Sequence, residues 1–431
     1  MSFFKKYRFG LLLVALALLL RIFLFIQIMH TTPYHDFFDY KEWIYRSYSL
    51  GLGKVYNPHF QSKYAPVNQP PGTIYILRGT YQTFLVTTKA LSHFFHVNPG
   101  KDLWVNDILL PFFFRFPSIL CDLLLGFLLY IFVKSKTNEK IGLIASAFFL
   151  FNPAIIYNST IWGQIDSINN LFFYISLLFL INKKAFFSLL FLALSLYVKV
   201  SLLPLVPLYF LFAFFGGFFK RSVFIFSIIA TLGIITLLNL PFFTNPLSFF
   251  SFAKQASGGQ AQAITVNAFN FWWMILYPTL HTDIPLITTK FFGLPFGTWG
   301  NIVFGVFYLP ILLKVFLWRK QLTPERVFLL FTIVAFTTFL FLPKMHERYL
   351  YPALPLLIAF VGLKKRYWIL AIVLSILHFL NLYLVWNPNL FLFRGMESFI
   401  GSQPMMRLIS LVTLCIFLFL YFKAFKSGVA Q

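Results

Sequence analysis

Three acids within seven positions, Asp36, Asp39 and Glu42, open the first long polar segment of an otherwise apolar chain. His35 precedes them and His59 follows, inside a stretch that runs to Gly72. With only 12 Asp plus Glu in 431 residues, the chain uses carboxylates so rarely that this group is not read as a solvated face. Carboxylates and imidazoles so grouped suit general acid–base chemistry. Apolar and polar residues alternate with helical period over 36–50, which puts Glu42 and Arg46 at i,i+4 spacing and makes them a structural pair. Asp36 falls at the start of that helix, where the backbone dipole favours a carboxylate. An N-cap and a catalytic base both fit that position.

A second polar group, Lys344-Met-His346-Glu347-Arg348, fills a very short connection before an expected span resumes at Tyr349. Interfacial snorkelling explains Lys and Arg there. Phosphate recognition also explains Arg348, whose guanidinium offers a planar fork of donors. A third group, Trp162-Gly-Gln164-Ile-Asp166, joins an aromatic ring to an amide and a carboxylate, as carbohydrate contacts require, although an interfacial aromatic belt also uses Trp. Arg21, Arg115 and Asp122 lie inside apolar runs, and Lys199 lies at the boundary of one. Charges in such places are costly and are paired or functional. Arg115 and Asp122 are two turns apart and are expected to pair with each other or with Arg21.

These groups need a scaffold, and the composition names its class. Hydrophobic residues make up 59% of the chain, charged residues only 11%, and the mean hydropathy is +0.79. No single soluble core could hide that fraction, so an all-α polytopic membrane protein is expected. Runs able to cross ~30 Å of hydrocarbon fall at roughly 9–29, 109–133, 141–158, 166–182, 185–200, 202–219, 222–240, 299–318, 325–343, 349–363, 366–386 and 404–422, about twelve in all. Residues 5–20 resemble a signal sequence, but Arg21 and further apolar residues follow, so an uncleaved first span is expected. The stretch 73–95 is too polar to cross. Leu77, Tyr81, Phe84, Leu91 and Phe95 form one stripe in it, as in a helix lying on a surface.

The net charge of +23 is mostly carried by short loops between the runs. If 73–95 does not cross, these basic loops share one side, and the positive-inside rule makes that side, with both termini, cytoplasmic. The outer face then carries 30–108, 159–165, 241–298, 344–348 and 387–403. The whole of 1–431 reads as one transmembrane domain, with a first extracytoplasmic loop at 30–108 containing surface helices and a second large one at 241–298. The charge is thus explained without nucleic acid as a partner. Cys121 and Cys415 give no disulfide framework. There is no phosphate-binding glycine loop, no dinucleotide fingerprint and no metal-ligand spacing among the outer His and Asp residues. No cofactor is expected, and metal dependence is left open.

The order of these motifs resembles the GT-C glycosyltransferases, which use polyprenyl-phosphate sugars. The likeness is closest to bacterial mannosyltransferases related to the GPI-anchor second mannosyltransferase, and more distant to eukaryotic lipid-linked-oligosaccharide glucosyltransferases. Those families place an Asp seven residues before a Trp, as Asp36 and Trp43 are here. The match continues through Gln69-Pro70-Pro71-Gly72, Arg115-Phe116-Pro117…Asp122-Leu123, 152–167, Lys199, 267–273 and 345–355. The family's Asp-Tyr-Pro-Pro reads Asn68-Gln69-Pro70-Pro71 in this chain. The resemblance implies a GT-C-like bundle and inverting transfer of a hexose, with mannose expected, on the outer face of the plasma (cell inner) membrane. The acceptor would be a lipid, glycan or protein. It makes Asp36 the general base and Arg348, His346, Lys199 and Arg115 the donor-phosphate contacts. Asp39, Gln69, Trp162, Gln164, Asp166 and Glu347 become substrate contacts. The alternative is a transporter or lipid-linked-sugar flippase, in which the same charges line a pathway. The chain lacks the two-half symmetry common in transporters.

Overall fold

The computed structural model describes residues 3–31, 35–56, 66–95, 108–243, 262–276, 284–318, 322–387 and 397–426. His59 and parts of both large loops lie outside them. The described residues are mostly helical, as backbone in hydrocarbon must be when every unpaired peptide group costs several kcal/mol. Seven helices are long and apolar enough to cross a membrane: Phe4–Ile28, Leu110–Lys136, Arg221–Asn239, Phe296–Leu317, Pro324–Phe341, Lys365–Val385 and Gln403–Lys426. The protein is therefore an all-α, multi-pass membrane protein. The helix Pro324–Phe341 is buried on every side from Val327 onwards, which fits its apolar circumference and puts it at the centre of the bundle.

The other expected runs fold as shorter pieces. Helix α5 (Glu139–Leu150) and the segment Pro153–Trp162 meet at a bend of 44°. Pro153 has no amide hydrogen to continue α5, so the chain restarts there, with the Asn152 side chain accepting from Ala154 N at 3.0 Å. Asp166–Ile181 has 16 residues and Ala185–Val198 has 14. At 1.5 Å per residue neither reaches ~30 Å. Asp166 and Lys199, at the ends of these two short helices, are consequently enclosed by protein. The run expected from 349 becomes a helix only at Ala353, and Ala353–Leu363 has 11 residues, because a tight turn occupies Glu347–Leu350.

The first loop is built on α2 (His35–Ser49) and α3 (Pro71–Phe95). α3 is not among the helices apolar enough to cross. Of its expected stripe, Leu77 and Phe84 are buried and Tyr81 and Leu91 are partly so; the Phe95 side chain lies outside the described residues. α2 and α3 share an apolar cluster with the start of α4 (Leu110–Lys136), through Tyr40, Trp43, Ile74, Leu77 and Phe114. Seven residues is two helical turns, so Trp43 stands on the same side of α2 as Asp36. It is 3% exposed and fixes the rotation of that helix. Gly72 lets α3 begin hard against the 185–198 helix: a Cβ there would sit 2.5 Å from the Tyr197 carbonyl oxygen. Thr73 donates its hydroxyl to Val198 O at 2.6 Å beside this contact.

Two buried charges of the bundle, Arg21 and Asp122, face each other. Asp122 takes Arg21 of α1 (Phe3–Ile28) as its ion partner, Nη2 to Oδ2 3.7 Å, rather than Arg115. Tyr351 donates to Asp122 Oδ1 at 2.5 Å and accepts from the Ser167 hydroxyl at 3.2 Å. Arg21 also donates to Leu150 O at 2.9 Å. One knot thus ties α1, α4, α5, the 166–181 helix and the turn after 347. Removing one member would strand a buried charge, at a cost of ~3–5 kcal/mol.

Two very short sheets join distant segments. β1 (Thr265–Val266) runs parallel to β4 (Met345–His346), while β2 (Lys290–Phe291) and β3 (Leu294–Pro295) form an antiparallel pair. The β1–β4 pair holds the 344–348 segment. It is braced by Asn381, whose amide donates to Asn267 O at 2.8 Å while its oxygen accepts from Phe269 N at 3.0 Å.

Candidate active site

Three chain segments, far apart in sequence, deliver their polar groups to one place. The first is the start of α2, which carries Asp36 in its first turn. The second is the Trp162–Asp166 turn. A π-helical turn over Tyr157–Trp162 ends at Gly163, whose φ of +83° favours glycine. The reversal aims Gln164 at α2, where its amide donates to Asp36 Oδ2. The third is the Glu347–Leu350 turn. From it Arg348 reaches Asp36 Oδ2 at 3.8 Å, Asp166 Oδ2 at 3.9 Å and Glu347 Oε1 at 3.0 Å. Lys199 completes the group by donating to Asp166 Oδ1 at 2.6 Å.

Asp36, Gln164, Asp166, Lys199, Glu347 and Arg348 therefore form one constellation, with His346 at its edge, 4.0 Å from Glu347 Oε2. Its acids are unequally committed. The Asp166 side chain is 4% exposed and Glu347 2%, while Asp36 remains 26% exposed and is the most open of the three. The two longer contacts of Arg348 are beyond hydrogen-bonding distance. Its Nε is buried and has no hydrogen-bond partner among the described residues, and the same is true of Asp166 Oδ2. A buried guanidinium donor left open in this way suits an anionic oxygen from a ligand.

The electrostatics separate the roles further. Burial alone would lower the Arg348 pKa, but Asp36, Glu347 and Asp166 outweigh it and hold the guanidinium well above its usual value. Burial pushes the Glu347 carboxyl up, and Arg348 counters this only in part. His346 goes the other way: burial first, then the cations Arg348 and Lys199, hold its pKa well below 6.5. It is thus a neutral hydrogen-bonding group near pH 7, which can still contact a phosphate oxygen. Among the described residues no three His, Cys, Asp or Glu side chains converge as metal ligands.

Other expected contacts lie elsewhere. Arg115 does not face the constellation. Its guanidinium is taken up by carbonyls, Pro111 O at 3.0 Å and Ile161 O at 3.2 Å. A Cβ at position 163 would meet Arg115 Cγ at 3.0 Å, so Arg115 packs beneath the turn that aims Gln164. It positions the site rather than binding in it. The Trp162 ring is 4% exposed and lies against Trp386, centroids 6.0 Å apart, so no open sugar platform is formed there. Asp39 faces His35 on its own helix at 3.7 Å. Gln69 accepts from the Tyr56 hydroxyl through its backbone carbonyl at 2.9 Å, a contact that shapes the approach to α3. Glu42 pairs with Arg46 at 3.1 Å, as their spacing required.

Two site tyrosines are not singled out by the sequence. The Tyr349 ring lies 5.3 Å from Lys199 Nζ and 5.9 Å from Arg348 Cζ, and its hydroxyl pKa is raised to about 12, first by burial. Read as the first residue of an apolar run, Tyr349 passes for an interfacial aromatic. Tyr40, one turn along α2 from Asp36, is buried with its pKa well above 10, through burial first and the Asp36 carboxylate next. Its helical spacing from Asp36 was the available signal. Protein-family models give no match to this chain, and no curated protein matches it.

Proposed function

We propose that the protein is an inverting glycosyltransferase of the GT-C type, moving a hexose, with mannose the first choice, from a polyprenyl-phosphate carrier to a lipid, glycan or protein acceptor. What carries this reading is the pairing of the more open carboxylate, Asp36, with the part-buried Arg348, whose Nε lies 3.9 Å from Asp166 Oδ2 and makes no hydrogen bond among the described residues. The acceptor oxygen attacks the anomeric carbon as its proton passes to Asp36. The bond from that carbon to the phosphate oxygen breaks, and its electron pair leaves with the polyprenyl phosphate. This leaving group is a weak base that needs a cation more than a proton. Arg348 supplies the cation, with Lys199 behind it holding Asp166. Gln164 orients Asp36, and the neutral His346 is left to hydrogen-bond substrate. The class is tested with purified protein in detergent. It should consume polyprenyl-phosphate mannose when an acceptor is supplied, since transfer needs one leaflet only; no consumption with any polyprenyl-phosphate hexose would return the protein to the flippase reading.

The proposal includes an arrangement in the plasma (cell inner) membrane. We count the bent pair at 139–162, the three short helices between 166 and 215, and Ala353–Leu363 as passages that need their flanking turns to complete the crossing, which makes about twelve with the seven long helices. The constellation then faces outward and both termini are cytoplasmic, which agrees with the basic loops. In intact cells, cysteines placed at Lys5 and Lys134 should both resist an impermeant thiol reagent. Reaction at Lys134 with none at Lys5 would overturn the arrangement and the outward site together.

A further inference from the structure

Beside the constellation runs a cleft of about 310 Å³, lined by Lys41, Ile44, Tyr45 and Tyr48 of α2, Tyr81 of α3 and Phe114 of α4. Positions 41, 44, 45 and 48 make one helical stripe, on a different side of α2 from Asp36 and Trp43. Its volume falls at the lower end of the ~300–1,000 Å³ usual for small-molecule sites. Large aromatics are left open here although the neighbouring Tyr40 and Trp43 are buried: Tyr45 is 61% exposed and Tyr48 40%.

The walls are held in place. Arg78 stacks 4.0 Å from the Tyr48 centroid and donates to Ser47 O at 2.5 Å, and Gln82 donates its amide to the Tyr48 hydroxyl. Tyr81 lies 5.9 Å from Tyr48 on one side and stacks on Phe84 at 5.9 Å on the other. Rigid rings of this kind present flat faces to the C–H side of a pyranose, while the tyrosine hydroxyls and the Lys41 ammonium meet its hydroxyls. A hydrocarbon chain offers no hydrogen-bond partner to the Lys41 ammonium or the Tyr45 hydroxyl, whereas sugar hydroxyls do. The cleft lies on the same helix as the proposed base, and Phe114 of its wall also touches the neighbour of that base. Phe37, next to Asp36, makes an edge contact with Phe114 at 5.4 Å. A rise of 1.5 Å per residue puts Lys41 ~8 Å and Tyr48 ~18 Å beyond Asp36 along α2.

We propose that this cleft binds the non-reacting sugars of an oligosaccharide acceptor, whose terminal hydroxyl is presented to Asp36. The inference rests on the glycosyltransferase reading and narrows its acceptor to a glycan of two or more sugars. It is tested without donor or turnover, by native mass spectrometry of the full-length protein in detergent. The probes are trisaccharides of α- and β-linked mannose, glucose and galactose, and undecaprenyl phosphate. At least one trisaccharide should give an adduct that falls 10-fold or more in Tyr45→Ala/Tyr81→Ala. The same adduct should persist in Tyr45→Phe/Tyr81→Phe, which keeps the rings, and in Asp36→Asn. The proposal is overturned if no trisaccharide binds, if the alanine pair leaves the adduct unchanged, or if that pair loses undecaprenyl phosphate instead. Any of these outcomes leaves Asp36-dependent sugar transfer standing, so the two readings fail separately.

Discussion

Asp36→Asn is expected to give a folded protein that binds donor and turns over at least ~10²-fold more slowly. A hydroxyl is a poor nucleophile near neutral pH, so a base within hydrogen-bond reach must take its proton as the glycosidic bond forms, the role proposed for Asp36. The competing acids are engaged: Glu42 with Arg46 at 3.1 Å, Asp166 with Lys199 at 2.6 Å and Glu347 with Arg348 at 3.0 Å. The substitution preserves shape, and an asparagine oxygen still accepts the Gln164 amide. Arg348 keeps Glu347 and Asp166, so folding should survive. Turnover and donor binding measured side by side separate loss of the base from loss of the site. Normal turnover in Asp36→Asn with a dead Asp39→Asn or Glu347→Gln would move the base elsewhere, and normal turnover in all three would remove the reaction class.

Arg348→Ala should lower donor use by ~10²-fold or more, the usual loss for one charge-assisted contact made in the transition state. Arg348→Lys should recover part of this, because an ammonium restores charge but not the planar fork. Acidification should not substitute. Burial is the largest cause of the depressed His346 pKa and remains after the substitution, so the imidazole is expected to gain little charge when the pH is lowered from 7.5 to about 6. Rates of donor consumption across that range measure both effects. Wild-type activity in Arg348→Ala would reduce the 344–348 segment to an interfacial anchor, and recovery at about pH 6 would show His346 acting as a cation after all.

The sequence exposed the chemistry of this site better than its mechanics. Scarcity of charge pointed to Asp36, Asp166, Lys199, Glu347 and Arg348, and these converge, because a charge inside an apolar bundle has few places to go except another charge. The same reasoning could not rank partners. Arg115 and Asp122 have the helical spacing of a pair, yet Arg21 from α1 reaches the carboxylate and Arg115 turns to carbonyls at the Ile161 end of a π-helical turn. Hydropathy found the helical runs and missed the lengths of some, since Pro153 and the Glu347–Leu350 turn cut them locally. The two-residue β1–β4 pair left no pattern at all, as no periodicity fits in two residues. Trp162 was legible as an aromatic beside polar groups, but whether its face is open depends on Trp386, more than two hundred residues away.

The dispersal of the site along the chain also sets a timetable for its assembly. Asp36 and Gln164 belong to the first half of the chain, while Arg348 and the β4 strand just before it follow Asp36 by roughly three hundred residues. At ~5–20 residues per second, a ribosome reaches Arg348 some ~15–60 s after Asp36. During that interval a nascent protein holds the carboxylate and its amide partner with no guanidinium opposite them. On the proposed reading, Asp36 therefore has no guanidinium opposite it until Arg348 is made, and the preceding strand β4 can pair only with a β1 segment already synthesised.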